Sequence, residues 1–141
     1  MCREKNAMKY FATAILSLFA LFPCFAQDSD AYRSCSAKAN TQAEMNACAS
    51  DEAARVDAKL NTTYQQLLSK IASQPEALAK IKAAERAWLV YRDAYIEATY
   101  PAEDKAAEYG SIYPLDAALL RAKLTQRQVA ALDDLLQHYS R

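Results

Sequence analysis

Apolar side chains recur at three- and four-residue steps over most of this chain, the spacing of amphipathic helices. Met45, Cys48, Val56, Leu60, Tyr64, Leu67 and Ile71 form one stripe, interrupted at Glu52. Thr41-Gln42-Ala43-Glu44 stands just before it with capping-box spacing, so a helix is expected from Thr41 to about Ala72. Ser73-Gln74-Pro75-Glu76 marks the next boundary, with a proline that a first helical turn tolerates. A second helix follows to near Tyr100-Pro101, with Leu78, Ile81, Ala84, Trp88, Tyr91 and Tyr95 on its apolar side. A polar connection spans Pro101 to Pro114, with room for a helical turn around Glu103 to Glu108. The third helix runs from about Leu115 to Tyr139, with Leu119, Ala122, Val129, Leu132 and Leu136 inward. Gln27 to Asn40 is polar and aperiodic, an entry segment. The expected fold is all-α, a three-helix antiparallel bundle with a disulfide-tied N-terminal segment.

Composition agrees. The one glycine, Gly110, disfavours both β-hairpins and phosphate-cradling loops. Seventeen basic and seventeen acidic side chains leave no excess that would draw the chain to nucleic acid or an anionic membrane.

The first 26 residues differ from the rest. Arg3, Lys5 and Lys9 precede an uncharged apolar run from Tyr10 to Phe25, and Ala26 is a small residue before Gln27. This is the form of a secretory signal peptide, with Met1 or Met8 as the start. The apolar run is too short for the roughly 20 residues of a spanning helix. Pro23 before Cys24 also disfavours a lipoprotein signal. The expected division is therefore residues 1–26 as signal and 27–141 as one helical domain, periplasmic or secreted, with no transmembrane segment once the signal is gone. Cleavage would leave two cysteines, Cys35 and Cys48, and an even pair in an exported domain is read as a disulfide. Closing a loop of this size stabilises a fold by about 3 kcal/mol. A metal site is the weaker reading, because His138 is the only histidine and lies far along the chain.

If the first two long helices fold back near residue 74, equal helical rise sets Asp57 opposite Tyr91 and Arg92, and Leu60 and Asn61 opposite Trp88. Asp57 and Arg92 would then be an interhelical ion pair. Asn61 could accept the Trp88 indole N–H. These four residues form a structural network in the first reading and a recognition patch in the second.

Nothing in the chain makes a catalytic array. It has no nucleophile elbow, no zinc-protease helix and no histidine beside a plausible nucleophile. Asp51/Glu52 and Asp133/Asp134 are neighbours expected on solvated helix faces. No enzyme activity, metal or cofactor is expected.

Several of these residues taken together resemble the LprI N-terminal-domain family of secreted bacterial proteins. They are Cys35, the Thr41-Gln42-Ala43-Glu44-Met45-Asn46 stretch, Cys48, Asp57-x-x-Leu60-Asn61-x-x-Tyr64, Ala84-Glu85-Arg86-Ala87-Trp88-Leu89-x-Tyr91-Arg92-Asp93-Ala94, Gly110-Ser111 and Leu124-Thr125. The resemblance covers nearly all of the chain after Gln27 and implies inhibition of lysozyme. The chain departs from the family where a second cysteine pair is usual: Ile96 and, within a residue, Leu120 stand there. The family's arginine in the last helix falls nearer Gln128 than Arg127.

An inhibitor of lysozyme can plug a cleft that works through two carboxyl groups. The segment from Glu97 to Pro114 is suited to this, with Tyr109, Gly110, Ser111 and Tyr113 at its far end as candidate contacts. Glu97, Glu103, Asp104 and Glu108 outweigh Lys105 there, which would steer it towards a basic target. The competing reading folds Tyr109 and Tyr113 onto the core. For function, the two classes are a lysozyme-binding inhibitor and a structural or adaptor domain of the cell envelope with no lysozyme affinity.

Overall fold

The computed structural model describes residues 29–141. The predicted signal segment, with Cys2 and Cys24, lies outside the described residues. The described residues are helical without strands: α1 (Asp30–Ser36), α2 (Gln42–Lys70), α3 (Pro75–Thr99), α4 (Lys105–Tyr109), a 3-10 turn (Gly110–Ile112) and α5 (Tyr113–His138). The three long helices fall where the apolar periodicity puts them. The count is larger than three because part of the polar lead-in is helical and the Glu103–Glu108 turn closes as α4.

The caps explain the boundaries. Thr41 Oγ1 accepts from Glu44 N, and the Glu44 carboxylate accepts from Thr41 N at 3.0 Å and from Asn40 N at 2.6 Å. These two backbone donors, Asn40 first, hold the Glu44 carboxyl below its usual pKa. Pro75 opens α3 in the first turn, where its missing N–H costs no helical bond. Ser29 caps α1 by accepting from Tyr32 N. Gly110 ends α4 at φ 69°, a left-handed conformation that a side chain disfavours.

The closest packing joins α2 to α5. Asn46 bonds to Ser111 and Asp57 to Thr125, separations of 65 and 68 positions, so the two helices run parallel. Small buried residues allow this approach: Ala53 and Ala122 with Ala118 beside them, and Thr125 fully buried. Towards the other end Leu60, Leu67, Ile71, Val129 and Leu132 make the larger apolar core, joined by Ile81 from α3. The polypeptide thus runs up, down and up, with α3 antiparallel to both partners. Helix α3 stands further from α2, and the long side chains of Trp88 and Arg92 fill the gap.

The inward face of α3 is only partly the one expected: Ile81 is buried, and Leu78 and Trp88 pack against the core. Ile81, Glu85, Arg92 and Ile96 are buried, while Ala84, Tyr91 and Tyr95 are exposed. Two of the inward side chains are charged, Glu85 and the Arg92 already expected opposite Asp57, and each finds a polar partner on a facing helix.

Glu52 also departs from expectation. It is buried, 6% exposed, beneath α1 and accepts from Ser29 Oγ at 2.5 Å and from Arg55. Cys35 and Cys48 are bonded, their Cα atoms 5.7 Å apart. Helix α1 has no buried residue of its own, so the disulfide and the Ser29–Glu52 bond fasten it to α2.

Candidate functional site

The connection between α3 and α5 is a clasp built on three tyrosines. Tyr100, at the end of α3, meets the rings of Tyr109 and Tyr113 edge-on, at centroid distances of 5.4 and 5.2 Å. Tyr109 and Tyr113 stack on each other at 6.0 Å. The Tyr109 hydroxyl accepts from Ala102 N at 3.2 Å, which pins the chain just after α3. Burial raises the Tyr100 pKa, with Asp116 and the two neighbouring tyrosines adding to the shift. Lys105 Nζ donates to Glu97 at 2.9 Å and to the Ala102 carbonyl at 3.2 Å. The bond to Glu97 is the main reason that its pKa is raised.

This arrangement divides the four candidate contact residues. Tyr109 and Tyr113 are half-buried and spend much of their ring surface on Tyr100 and each other. Gly110 and Ser111 are exposed, as is Ile112, at 48%. Asn46 Nδ2 donates to the Ser111 carbonyl at 3.2 Å, tying the tip to the start of α2. The tip is therefore short, held from both sides, and flanked by exposed Glu103, Asp104 and Glu108. Ile112 is an exposed apolar group at the tip that the sequence pattern does not single out, although it lies between Ser111 and Tyr113.

The other candidate residues lie in the seam between the long helices. Arg92 Nη1 donates to Asp57 Oδ1 at 3.4 Å and Arg92 Nε to Asp93 at 3.0 Å. The guanidinium lies 5.3 Å from the centre of the Trp88 ring, within cation–π range. Thr125 Oγ1 donates to Asp57 at 3.3 Å, so one carboxylate links all three long helices. Gln128 Nε2 donates to buried Glu85 at 2.7 Å.

Asn61 is not part of this seam. It is exposed and lines an open groove of about 790 Å³ with Thr62, Gln65, Gln66, Ser69, Lys70 and Leu136. The expected bond from the Trp88 indole to Asn61 is absent, since Trp88 packs beside the Leu60 core and beneath Arg92. Of the two positions where the sequence departs from its family, Ile96 is buried and Leu120 half-buried.

Among the described residues no three His, Cys, Asp or Glu side chains are grouped to hold a metal ion, and no helix is long and apolar enough to cross a membrane. The fold and clasp define a small all-α domain, stapled by one disulfide, that presents a short acidic-flanked tip. Residues 35–132 match the family described as Lysozyme inhibitor LprI, and the chain belongs to that family. It is also 31% identical, over 71% of its length and 77% of the relative's, to Uncharacterized protein R02472 of Rhizobium meliloti (strain 1021). No solved structure matches it significantly.

Proposed function

We propose that this protein is exported and inhibits a lysozyme by presenting the Gly110–Ile112 tip to the enzyme's cleft. Membership of the lysozyme-inhibitor family supports the target class. The observation that carries the site is the exposure of Ser111 and Ile112 on a tip clamped by Asn46 and by the tyrosine clasp. A pre-ordered tip loses little conformational entropy on docking, so more of its contact energy appears as affinity. The carboxylates beside it suit a basic enzyme. The seam of Asp57, Arg92 and Trp88 serves as internal scaffolding, since its polar groups already bond to one another and Arg92 is buried.

The reading is tested with protein beginning at Gln27 in a lysozyme turnover assay across enzyme classes. The expected result is inhibition that Ile112→Asp together with Ser111→Arg weakens while helicity stays the same. Inhibition unaffected by the pair moves the site off the tip. No inhibition of any lysozyme class favours an envelope structural or adaptor role.

A further inference from the structure

The outward face of α3 carries an apolar stripe that has no partner among the described residues. Val90 is 71% exposed, Tyr91 55% and Tyr95 43%, and the rings of Tyr91 and Tyr95 touch at 5.9 Å. Between these lie exposed Ala83, Ala87 and Ala94. Ala83, Ala87, Val90 and Ala94 follow four-, three- and four-residue steps, the spacing of a seam between two packed helices. A helix that buried only its inner face would carry polar residues here.

Charge decides what covers this face. Along one edge run Lys82 and Arg86 in the N-terminal half of the helix and Asp93 and Glu97 in the C-terminal half. A second α3 laid antiparallel, with the two-fold axis between Leu89 and Val90, sets Lys82 against Glu97 and Arg86 against Asp93. The same axis sets Tyr95 of one copy over Ala84 of the other, a ring against a methyl-lined hollow. Same-edge residues face one another in antiparallel helix pairs, whereas a parallel pair sets each edge against the opposite one and would leave these charges facing the Ala84, Tyr91 and Tyr95 edge instead of one another. Asp93 and Glu97 already accept from Arg92 and Lys105, but their side chains remain 58% and 65% exposed, and a carboxylate has further acceptor capacity.

We infer that the protein forms a two-fold homodimer through the outer faces of α3, antiparallel and centred on Leu89 and Val90. The two-fold makes the contact isologous, so it closes at two copies. The charged stretch from Lys82 to Glu97 is about 22 Å long at helical rise, a modest interface that dissociates on dilution. The inference is independent of the proposed lysozyme site, which lies on the α3–α5 connection.

Sedimentation equilibrium of the chain beginning at Gln27, over a wide concentration range, tests it. The wild type should show a monomer–dimer equilibrium. Val90→Glu should raise the dissociation constant by about tenfold or more, since each copy would bury a charge at the seam. Lys82→Glu and Glu97→Lys should each weaken association alone, and an equimolar mixture of the two should recover it, because each then faces an opposite charge. Far-UV circular dichroism checks that the variants keep the wild-type helicity. A wild type that stays monomeric at its highest soluble concentration overturns the inference. So does a dimer indifferent to Val90→Glu, or a mixture no tighter than its components.

Discussion

Arg92 and Asp57 face each other across α3 and α2, with Nη1 3.4 Å from Oδ1 and the guanidinium over Trp88. The arginine side chain is 9% exposed and the aspartate 35%, so the two ends of this pair are not equivalent. Asp57 retains water and Thr125 when Arg92 is removed, whereas Arg92 cannot easily find water when Asp57 is lost. Arg92→Ala also empties the space that holds the two helices at their separation. It should destabilise by about 2–4 kcal/mol, chiefly through lost packing. Arg92→Lys should recover only part of this, because an ammonium cannot reproduce the planar fork and ring stacking. Urea unfolding of the two variants checks the order.

Glu85 is buried and takes its hydrogen bond from a neutral partner, Gln128, on α5. Gln128→Leu removes that donor and should cost about 1–3 kcal/mol, the usual penalty for an unsatisfied buried acceptor. Gln128→Arg restores a donor and adds a charge opposite the carboxylate. It should hold stability near the wild-type value. If Gln128→Leu is neutral in urea unfolding, Glu85 is not held as described.

These two contacts also mark what the sequence does and does not reveal. Helix positions are legible because caps and prolines act locally: Thr41 with Glu44, and Pro75, fix boundaries whatever the rest of the chain does. The opposition of Asp57 and Arg92 follows from equal rise on either side of a tight turn near residue 74. The α3 stripe misleads in part, because hydrophobic periodicity weighs Tyr91 and Tyr95 as core and passes over Glu85, while Arg92 comes inward only through its pairing with Asp57. Burial of Glu85 and Arg92 depends on Gln128, Asp57 and Trp88, which approach only in the folded bundle. The short α1 is invisible to periodicity for a related reason, as a covalent bond rather than an apolar face fastens it. The clasp is legible as tyrosine-rich but not as a ring cluster, because Tyr100 stands at the end of α3 and meets Tyr109 and Tyr113 only once the connection folds back.

The Cys35–Cys48 bond should account for the order of α1. Alkylation of denatured, unreduced protein should leave the peptides carrying Cys35 and Cys48 unmodified. Replacing both by serine should lower stability by about 2–4 kcal/mol and let the α1 amides exchange with solvent far faster than those of α2. Equal protection before and after replacement would show that Ser29 and Glu52 suffice to hold α1.

Glu44 gives a pH signature. Its pKa in the fold lies below the ordinary value because the Asn40 and Thr41 amides donate to the ionised carboxylate. A group whose pKa falls on folding adds stability that is present in full above its unfolded pKa, about 4.3. That stability is lost as pH falls from there through the lower folded value. Glu44→Gln keeps an acceptor but cannot ionise. Thermal midpoints of wild type and variant should therefore converge as the solution is acidified below about 4.3. A gap between them that stays constant down the acid limb would exclude the carboxylate as its source.

The tyrosine clasp and the exposed tip should separate in experiment. Tyr113 packs against two rings at the start of α5, so Tyr113→Ala removes buried aromatic surface and should cost about 1–3 kcal/mol. Tyr109→Ala should behave similarly and also free Ala102 N, which its hydroxyl now receives. A triple replacement of Tyr109, Ser111 and Tyr113 would thus lower the melting temperature, and any accompanying loss of inhibition could come from a disordered tip. Ser111 and Ile112 carry no such load, since their side chains are exposed and Asn46 bonds to the Ser111 backbone carbonyl. Ser111→Arg and Ile112→Asp should leave the midpoint within about a degree or two, as surface changes usually shift stability by under about 0.5 kcal/mol. If the tip enters a basic enzyme's cleft, association should slow as salt rises, because Glu103, Asp104 and Glu108 contribute to steering. Neutralising those three carboxylates should flatten that salt dependence while dissociation changes little. Stopped-flow association with a basic lysozyme at several ionic strengths reads both, and a salt slope untouched by the neutralisation would place the encounter on another surface of the bundle.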